Sequence, residues 1–333
     1  MTQPTMKAAI VSRRDGPFEL REIARPDPGP GEVLVRVAAS GVNPLDAKIR
    51  SEAAAHARHP LPAILGLDMA GMVEAVGAGV ERFRPGDAVY GMIGGVGGLP
   101  GSLADYVAVD ADTLAIKPDN LSMREAAALP LIFITAWEGL VDRAQVRRGQ
   151  RVLVQGGAGG VGSMAIQIAR AFGAEVHATG SAASADAIRA LGATPIDYAE
   201  PVADYVARHS GGAGFELVYD TGGGAILDAS FAAVAQFGHV VSCLGWGTHS
   251  LAPLSFKAAT YSGVFTLAPL LSGRNRRAQG AIMAEATRLA EAGKLLPRVD
   301  ARRFTLETVS DAHDALAGRS ATGKLVVDID PGP

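Results

Sequence analysis

The run RVLVQGGAGGVGSMAIQIARAFG, residues 151–173, reads as strand, glycine turn and helix in immediate succession. Val152, Leu153 and Val154 make a short apolar run of the kind that fills a buried strand. The turn places glycine at Gly157, Gly159 and Gly162, the G-x-G-x-x-G spacing of a dinucleotide-binding turn. Val161, Ala165, Ile168 and Ala169 then continue at helical period. In such a turn the first glycine permits the tight bend, the second lets the backbone approach a pyrophosphate, and the third lets helix and strand pack closely. The helix N-terminus meanwhile offers unpaired N–H groups to the anion. Gly157, Ala158, Gly159, Gly160, Val161 and Gly162 are therefore expected to cradle the pyrophosphate of a dinucleotide; the bland alternative is an ordinary tight turn in an α/β domain.

The next strand bears on which dinucleotide. An NAD site presents Asp or Glu about 20 residues on, at the end of the second strand, to hold the ribose 2′-OH. Here that strand is AEVHATG, 174–180, and it ends in Thr179, Gly180 and Ser181. No carboxylate stands there to repel a 2′-phosphate, which favours NADP(H) over NAD(H). Ser181 and Ser184 can donate hydroxyl hydrogen bonds, but Asp186 follows and the nearest basic side chain of the segment is Arg189.

A chain of 333 residues exceeds one ordinary core and implies two domains. With a net charge of −3 it has no general attraction for nucleic acid or an anionic membrane, so neither is expected as a partner. The opening MTQPTMKAAIVSRRDG lacks an apolar core of signal-peptide length, and the uncharged stretch 229–256 is interrupted by Gly, His, Ser and Pro, so a cytoplasmic location is expected. The single cysteine, Cys243, excludes an intrachain disulfide, fits a reducing compartment, and reads as a buried thiol at the end of the strand HVVSCLG.

The chain changes character near Leu121. Before it, short β-rich pieces such as KAAIVS, EVLVRVAAS, GMVEAV and DAVYGMI are broken by Gly and Pro, which suggests a small barrel or sandwich. After the glycine turn, strands AEVHATG, TPIDY, FELVYDTG and HVVSCLG alternate with helices ADAIRALG, PVADYVARH and AILDASFAAVAQFG, the pattern of a doubly wound parallel sheet. Beyond Phe265 come a helix, AQGAIMAEATRLAEAG, and strand-like ends RRFTLETV and GKLVVDI, most economically placed back on the N-terminal domain.

The segment GLDMAGMVEAVGAGVERFRPGDAVYGMI, 66–93, together with GVNPLDAKIRS, 41–51, and LVQGGAGGVG, resembles the medium-chain dehydrogenases/reductases. The resemblance covers essentially the whole chain. It implies an α/β protein with a chaperonin-10 (GroES)-like β-barrel catalytic domain over 1–121, a Rossmann NADP(H)-binding domain over 122–265 and a C-terminal return to the catalytic domain over 266–333. It also implies a homodimer. Zinc-dependent members of that family carry cysteine at the position of Asn43 and histidine at that of Leu67, plus further cysteines that this chain lacks. Asn43 is a poor zinc ligand and Leu67 is none, while the compact pair His56 and His59 is expected to face solvent; no metal is expected. No Tyr is followed four residues later by Lys, and there is no G-x-S-x-G elbow.

What remains resembles the zinc-free quinone oxidoreductase branch, which takes hydride from NADPH, with NADH less favoured. Hydride addition to a conjugated carbonyl builds negative charge on oxygen, which oriented donors must stabilise. Asn43, in the family's G-V-N-P motif, is a candidate to present its amide beside nicotinamide and substrate, or else simply closes a turn. Many relatives carry Tyr five residues later; here Lys48 stands there, either as a cationic donor oriented by Asp46 or pointing into solvent. Thr135 matches a threonine near the nicotinamide, with a cap or core hydroxyl as the plain alternative, and Tyr198 matches an aromatic residue beside the 2′-phosphate. Gly180, Leu244, Gly245 and Trp246 fall at strand ends where the ligand crevice of an open sheet lies, and Phe265 and Thr266 follow at the return. The lysine that commonly holds the phosphate is not evident. The expected activity is hydride transfer from NADPH to quinones or related conjugated carbonyls. A reductase of activated C=C bonds (enal, enone or enoyl thioester) and a non-catalytic dinucleotide-binding scaffold are the alternatives.

Overall fold

The structure, a computed structural model, describes residues 4–330, so the domain limits expected at 1 and 333 lie outside the described residues. It divides into two compact units. One runs to Leu131 and resumes at Leu267; the other is Ile132–Thr266.

The second unit is built on six parallel strands, numbered along the chain within this sheet: β1 Arg151–Gln155, β2 Glu175–Gly180, β3 Thr194–Asp197, β4 Phe215–Asp220, β5 Val234–Ser242 and β6 Thr260–Gly263. Their spatial order is 3-2-1-4-5-6, the doubly wound order of a nucleotide-binding sheet. Val152, Leu153 and Val154 of the central strand are fully buried, because helices cover both faces of a parallel sheet.

The glycines of the turn divide their tasks differently from the expectation. The left-handed residue is Gly156, at φ +75°, whereas Gly157 is needed for space: a Cβ there would stand 2.5 Å from the Ala178 Cβ on the neighbouring strand. Gly162 lets the helix Gly160–Ala171 press onto the turn, since its Cβ would meet the Gly156 carbonyl oxygen at 2.2 Å.

The helix expected to run through AILDASFAAVAQFG stops early, at Ala225–Ala233, and Val234 already begins β5. Lys257 accounts for the stop. Its ammonium donates to the carbonyl oxygens of Phe231, Ala232 and Val234, at 3.2, 2.6 and 2.7 Å, satisfying the carbonyls that a helix C-terminus leaves free. Phe237 then sits exposed at φ +60° where β5 is irregular.

The first unit holds a seven-stranded sheet whose centre is the antiparallel pair Glu32–Gly41 and Asp68–Val76. Alternate residues Val33, Val35 and Val37 face a core with Met69, Val73, Val89 and Val107, as period-two patterning requires. A three-stranded sheet, Phe18–Ala24, Thr5–Val11 and Ala63–Ile64, adjoins it. The C-terminal strand Val326–Asp328 pairs antiparallel with the far end of Glu32–Gly41, and the Tyr90 hydroxyl donates to the Met283 carbonyl in the helix Arg276–Glu291. The boundary between units falls after Leu131 rather than after Leu121. Residues of the helix Met123–Ala127 pack so tightly on this sheet that a Cβ at Gly41 would lie 2.2 Å from the Ala127 carbonyl oxygen.

Candidate active site

Two strand registers assemble the polar centre of the first unit. Gly41 pairs with Asp68 on one side and with Val326 on the other, so the residues just beyond Gly41 meet the start of one strand and the residue two before the other. Those residues are Asn43, Asp68 and Lys324. Asn43 caps the helix Pro44–Arg50, where Pro44 at the first position fits the missing N–H. Its side chain is fully buried: Nδ2 donates to Asp68 Oδ2 at 2.9 Å, and Oδ1 accepts a short bond from Lys324 Nζ. Lys324 also donates to the Val42 carbonyl at 2.9 Å and stands 3.7 Å from Asp68 Oδ2. The other Asp68 oxygen accepts the Leu131 N–H at 2.9 Å. Asn43 therefore turns its amide into the protein, as a bridge between a buried carboxylate and a buried ammonium.

Asp46 lies on the same helix, 1% exposed, and its Oδ2 accepts the Asn43 backbone N–H at 2.8 Å. Its Oδ1 has no hydrogen-bond partner. Burial, with the Asp68 charge adding to it, pushes the Asp46 carboxyl up to about 7. Burial also raises Asp68 and lowers Lys324, each against the pull of the other's charge. One cation thus faces two carboxylates, and the second, Asp46, is neutral below about pH 7. Asp46 does not orient Lys48: positions two apart leave a helix on different sides, and Lys48 is exposed. The Lys48 charge instead acts on His56, whose imidazole is held below its usual range by burial first and Lys48 second. His56 and His59 do not simply face solvent. Both are half-buried, and His59 Nδ1 accepts the Gly98 N–H at 3.2 Å.

In the second unit Gly159 caps the helix Gly160–Ala171 in an extended conformation. A Cβ built on it meets only the Gly156 carbonyl oxygen, at 3.3 Å, so the α-carbon faces open space beside the leading N–H groups of Gly160, Val161 and Gly162. This arrangement fits a pyrophosphate. At the end of β2, the Gly180 carbonyl accepts the Tyr198 N–H at 3.0 Å, which sets the exposed Tyr198 beside Ser181. Ser184 donates to the Ser181 carbonyl at 2.8 Å, and Arg189 is paired with Asp186 at 2.6 Å. Beyond β5, Leu244 donates its N–H to Ser242 Oγ, and the exposed Trp246 meets Phe265 edge-on at 5.8 Å.

Thr135, in the helix Pro130–Trp137, is buried, and its hydroxyl lies 3.0 Å from that of Thr266. Thr266 in turn donates to Glu138 Oε2 at 3.3 Å. Glu138 opens a π-helical segment, Glu138–Arg143, shown by the five-residue step from the Ala144 N–H to the Gly139 carbonyl. The Thr135 carbonyl accepts the Tyr219 hydroxyl at 2.7 Å, and Gly139 has no room for a Cβ, which would touch the Tyr219 ring at 2.3 Å. Burial pushes the Glu138 carboxyl up to about 7 despite the Thr266 bond.

Residues 29–119 match the family model described as the alcohol dehydrogenase GroES-like domain, and residues 191–327 the one described as zinc-binding dehydrogenase. The chain is 34% identical to the NADPH-dependent alkenal/one oxidoreductase, chloroplastic, of Arabidopsis thaliana, over 97% of this chain and 79% of that protein. It is 30% identical to the quinone oxidoreductase of Homo sapiens over 98% of both. The crystal structure of an alcohol dehydrogenase superfamily protein from Novosphingobium aromaticivorans superposes with a TM-score of 0.97 at 58% identity, covering 98% of this chain and 100% of that one. The chain belongs to the medium-chain dehydrogenase/reductase superfamily. Its first unit is therefore the GroES-like domain and its second the Rossmann-like one, and it is an oxidoreductase.

The positions that hold zinc in metal-dependent members of this superfamily do not fit a metal here. Leu67 has no donor atom and is fully buried, and the Asn43 oxygen already serves the Lys324 ammonium, a cation that would repel a second one. Among the described residues no three His, Cys, Asp or Glu side chains converge on a metal-holding arrangement. Sequence reasoning missed Lys324, Asp68 and Glu138. Asp68 directly follows Leu67 in the segment 66–93 and Lys324 lies in the strand-like end GKLVVDI, while Glu138, three residues after Thr135, is the charge that ends the apolar stretch 130–137.

Proposed function

We propose that this chain is an NADPH-dependent, zinc-independent reductase of quinones or related conjugated carbonyls. The observation that supports the reading is the buried Asn43–Asp68–Lys324 bridge, which engages the Asn43 oxygen with an ammonium. Without a Lewis acid, the chain must bind, orient and protonate an acceptor that is already electron-poor. The reduced nicotinamide, when bound, supplies the hydride. The helix N-terminus at Gly159 and Gly160 holds the pyrophosphate, Ser181 and Tyr198 receive the 2′-phosphate, and Thr135, Leu244, Gly245, Trp246, Phe265 and Thr266 line the nicotinamide side. Asn43 positions its loop through its buried bonds, and Lys48, exposed on the following helix, remains available to an anionic oxygen. The absence of a carboxylate at Gly180 and Ser181 supports NADPH, as does the cofactor named for the Arabidopsis relative.

Reduction of activated C=C bonds is the second reading, favoured by the higher identity to the alkenal/one oxidoreductase than to the quinone oxidoreductase. We further propose a cytoplasmic homodimer. Among the described residues no helix is long and apolar enough to cross a membrane, and β6 is an edge strand with Tyr261 exposed. The deciding experiment assays quinones, enals, enones and simple alcohols with NADPH and NADH, before and after exhaustive chelation. Reduction of quinones or enones with NADPH, unchanged by chelation, is expected, and the faster class assigns the substrate. Alcohol oxidation lost on chelation refutes the proposal, and cofactor binding without turnover on any acceptor points to the scaffold.

A further inference from the structure

We infer that Glu138, Thr266 and Thr135 form a proton relay that protonates the substrate oxygen after hydride transfer, with Glu138 as its reservoir. The inference rests on the reductase reading above. Its basis is an unbroken line of exchangeable groups within one unit: the Glu138 carboxyl, the Thr266 hydroxyl at 3.3 Å, and the Thr135 hydroxyl 3.0 Å further on. Both threonines are buried, whereas Glu138 is half-buried, so one end of the line is in touch with water and the other with the interior. Hydroxyl groups both donate and accept, which is what a relay needs.

The local fold holds the line in place. A π-helical segment widens the backbone where an α-helix would have run on, and such segments recur at functional sites. The Tyr219 hydroxyl takes the Thr135 carbonyl, and its ring packs on Gly139, fixing the segment from β4. The ionisable groups acting on Glu138 are Asp142, which raises it, and Arg143, which lowers it, on its own segment. Across from it, Tyr219 on β4 is acted on by Glu138 together with Cys243 and Asp220. Tyr219 and Cys243 are themselves pushed up by burial and stay neutral, so Glu138, up at about 7, is the group of this line that can give and regain a proton near neutrality.

The balance is complete with the hydride donor already proposed. A hydride arrives on the electron-poor acceptor with its electron pair, leaving the substrate oxygen anionic. With Glu138 protonated, the Thr266 hydroxyl turns from donating to the carboxyl to accepting from it and donates to Thr135 instead. Thr135 Oγ–H then gives its proton to the substrate oxygen and takes one from Thr266, which takes one from Glu138. The carboxylate left on Glu138 is reprotonated by water. Because it acts through the two hydroxyls, Glu138 is a positioning residue for the proton.

The test uses Glu138→Gln, Glu138→Asp and Thr266→Val in the full chain. In the protein without cofactor, the infrared difference between wild type and Glu138→Gln should contain a protonated-carboxyl band that disappears between pH 6 and 8. In steady state, wild-type kcat should fall as pH rises through about 7. Glu138→Gln should have kcat at least about tenfold lower at pH 6 and flat with pH, with a larger solvent isotope effect and cofactor affinity within about twofold of wild type. Glu138→Asp should restore part of the pH dependence, and Thr266→Val, measured at saturating cofactor, should copy the flat pH profile and the larger solvent isotope effect of Glu138→Gln; if Glu138→Gln does not fold, those two readouts in Thr266→Val carry the decision. An unchanged pH profile and isotope effect in Glu138→Gln overturns the relay, as does a Glu138 band that is absent. If the wild type reduces no acceptor, the reductase reading has failed, and the infrared titration still reports on Glu138 separately.

Discussion

Replacing Asp46 by Asn should make the first unit more stable than wild type at alkaline pH and not at acid pH. Asp46 is 1% exposed, has one carboxylate oxygen unpartnered and faces the Asp68 charge, which together push it up to about 7. An ordinary Asp titrates near 4, and each tenfold change in affinity for the proton is worth about 1.4 kcal/mol. Because the folded value is raised, the unfolded chain releases this proton first, and stability declines as pH climbs from near 4 to about 7 before levelling off. From those two values, ionisation of Asp46 costs the fold about 1.5 kcal/mol at pH 5 and about 4 kcal/mol at pH 8. Asn keeps an oxygen to accept the Asn43 N–H and does not ionise. Any fixed penalty of its buried amide, about 1–3 kcal/mol, is the same at both pH values. The stability of Asp46→Asn relative to wild type should therefore rise by about 2.5 kcal/mol between pH 5 and pH 8. The two tryptophans, Trp137 and Trp246, both lie in the second unit, so their fluorescence is blind to this change. Native-state hydrogen exchange at the strand amides of Glu32–Gly41 and Val326–Asp328 reads it directly. A difference that does not vary with pH would refute the reasoning.

Lys324→Met should lower the stability of the first unit by about 3–5 kcal/mol, because it leaves Asp68 buried without its cation. Burial already raises the Asp68 carboxyl, so the loss should shrink as pH falls and that carboxyl takes up its proton; the same exchange experiment checks it. Gly159→Val should leave circular dichroism native while NADPH affinity drops at least about tenfold in a titration, since its side chain enters the space kept for phosphate. Gly157→Val should instead lower the melting temperature, because its Cβ meets that of Ala178. Ser181→Asp should move the ratio of kcat/KM values towards NADH by repelling a 2′-phosphate beside Tyr198, and an unmoved ratio would misplace the phosphate.

The parts legible in the sequence are those written in local periodicity. The run 151–173 shows strand, turn and helix because apolar spacing changes from continuous to helical across five glycines, and the alternation that follows specifies the sheet. The helix end at Ala233 was not legible, since the group that stops it, Lys257, lies on a different element. Lys48 and Asp46 could be paired on paper because they are two residues apart, yet a helix turns them to different sides. The true partner of Asn43, Lys324, is separated from it by 281 residues and is brought there only by strand register. Glu138 was hidden for a related reason. Its meaning comes from Thr266, 128 residues on, which no spacing rule connects to it.

The return of Val326–Asp328 to the strand Glu32–Gly41 orders events during synthesis. The second unit is one continuous stretch, Ile132–Thr266, and can close while the ribosome is still at work. The first unit cannot. Until Lys324 leaves the exit tunnel, Asn43 and Asp68 wait without their ammonium, so the nascent chain carries a finished nucleotide fold beside an open barrel with an uncompensated acidic heart. Lys324, which follows the second unit in sequence, thus completes a domain whose first strands precede that unit.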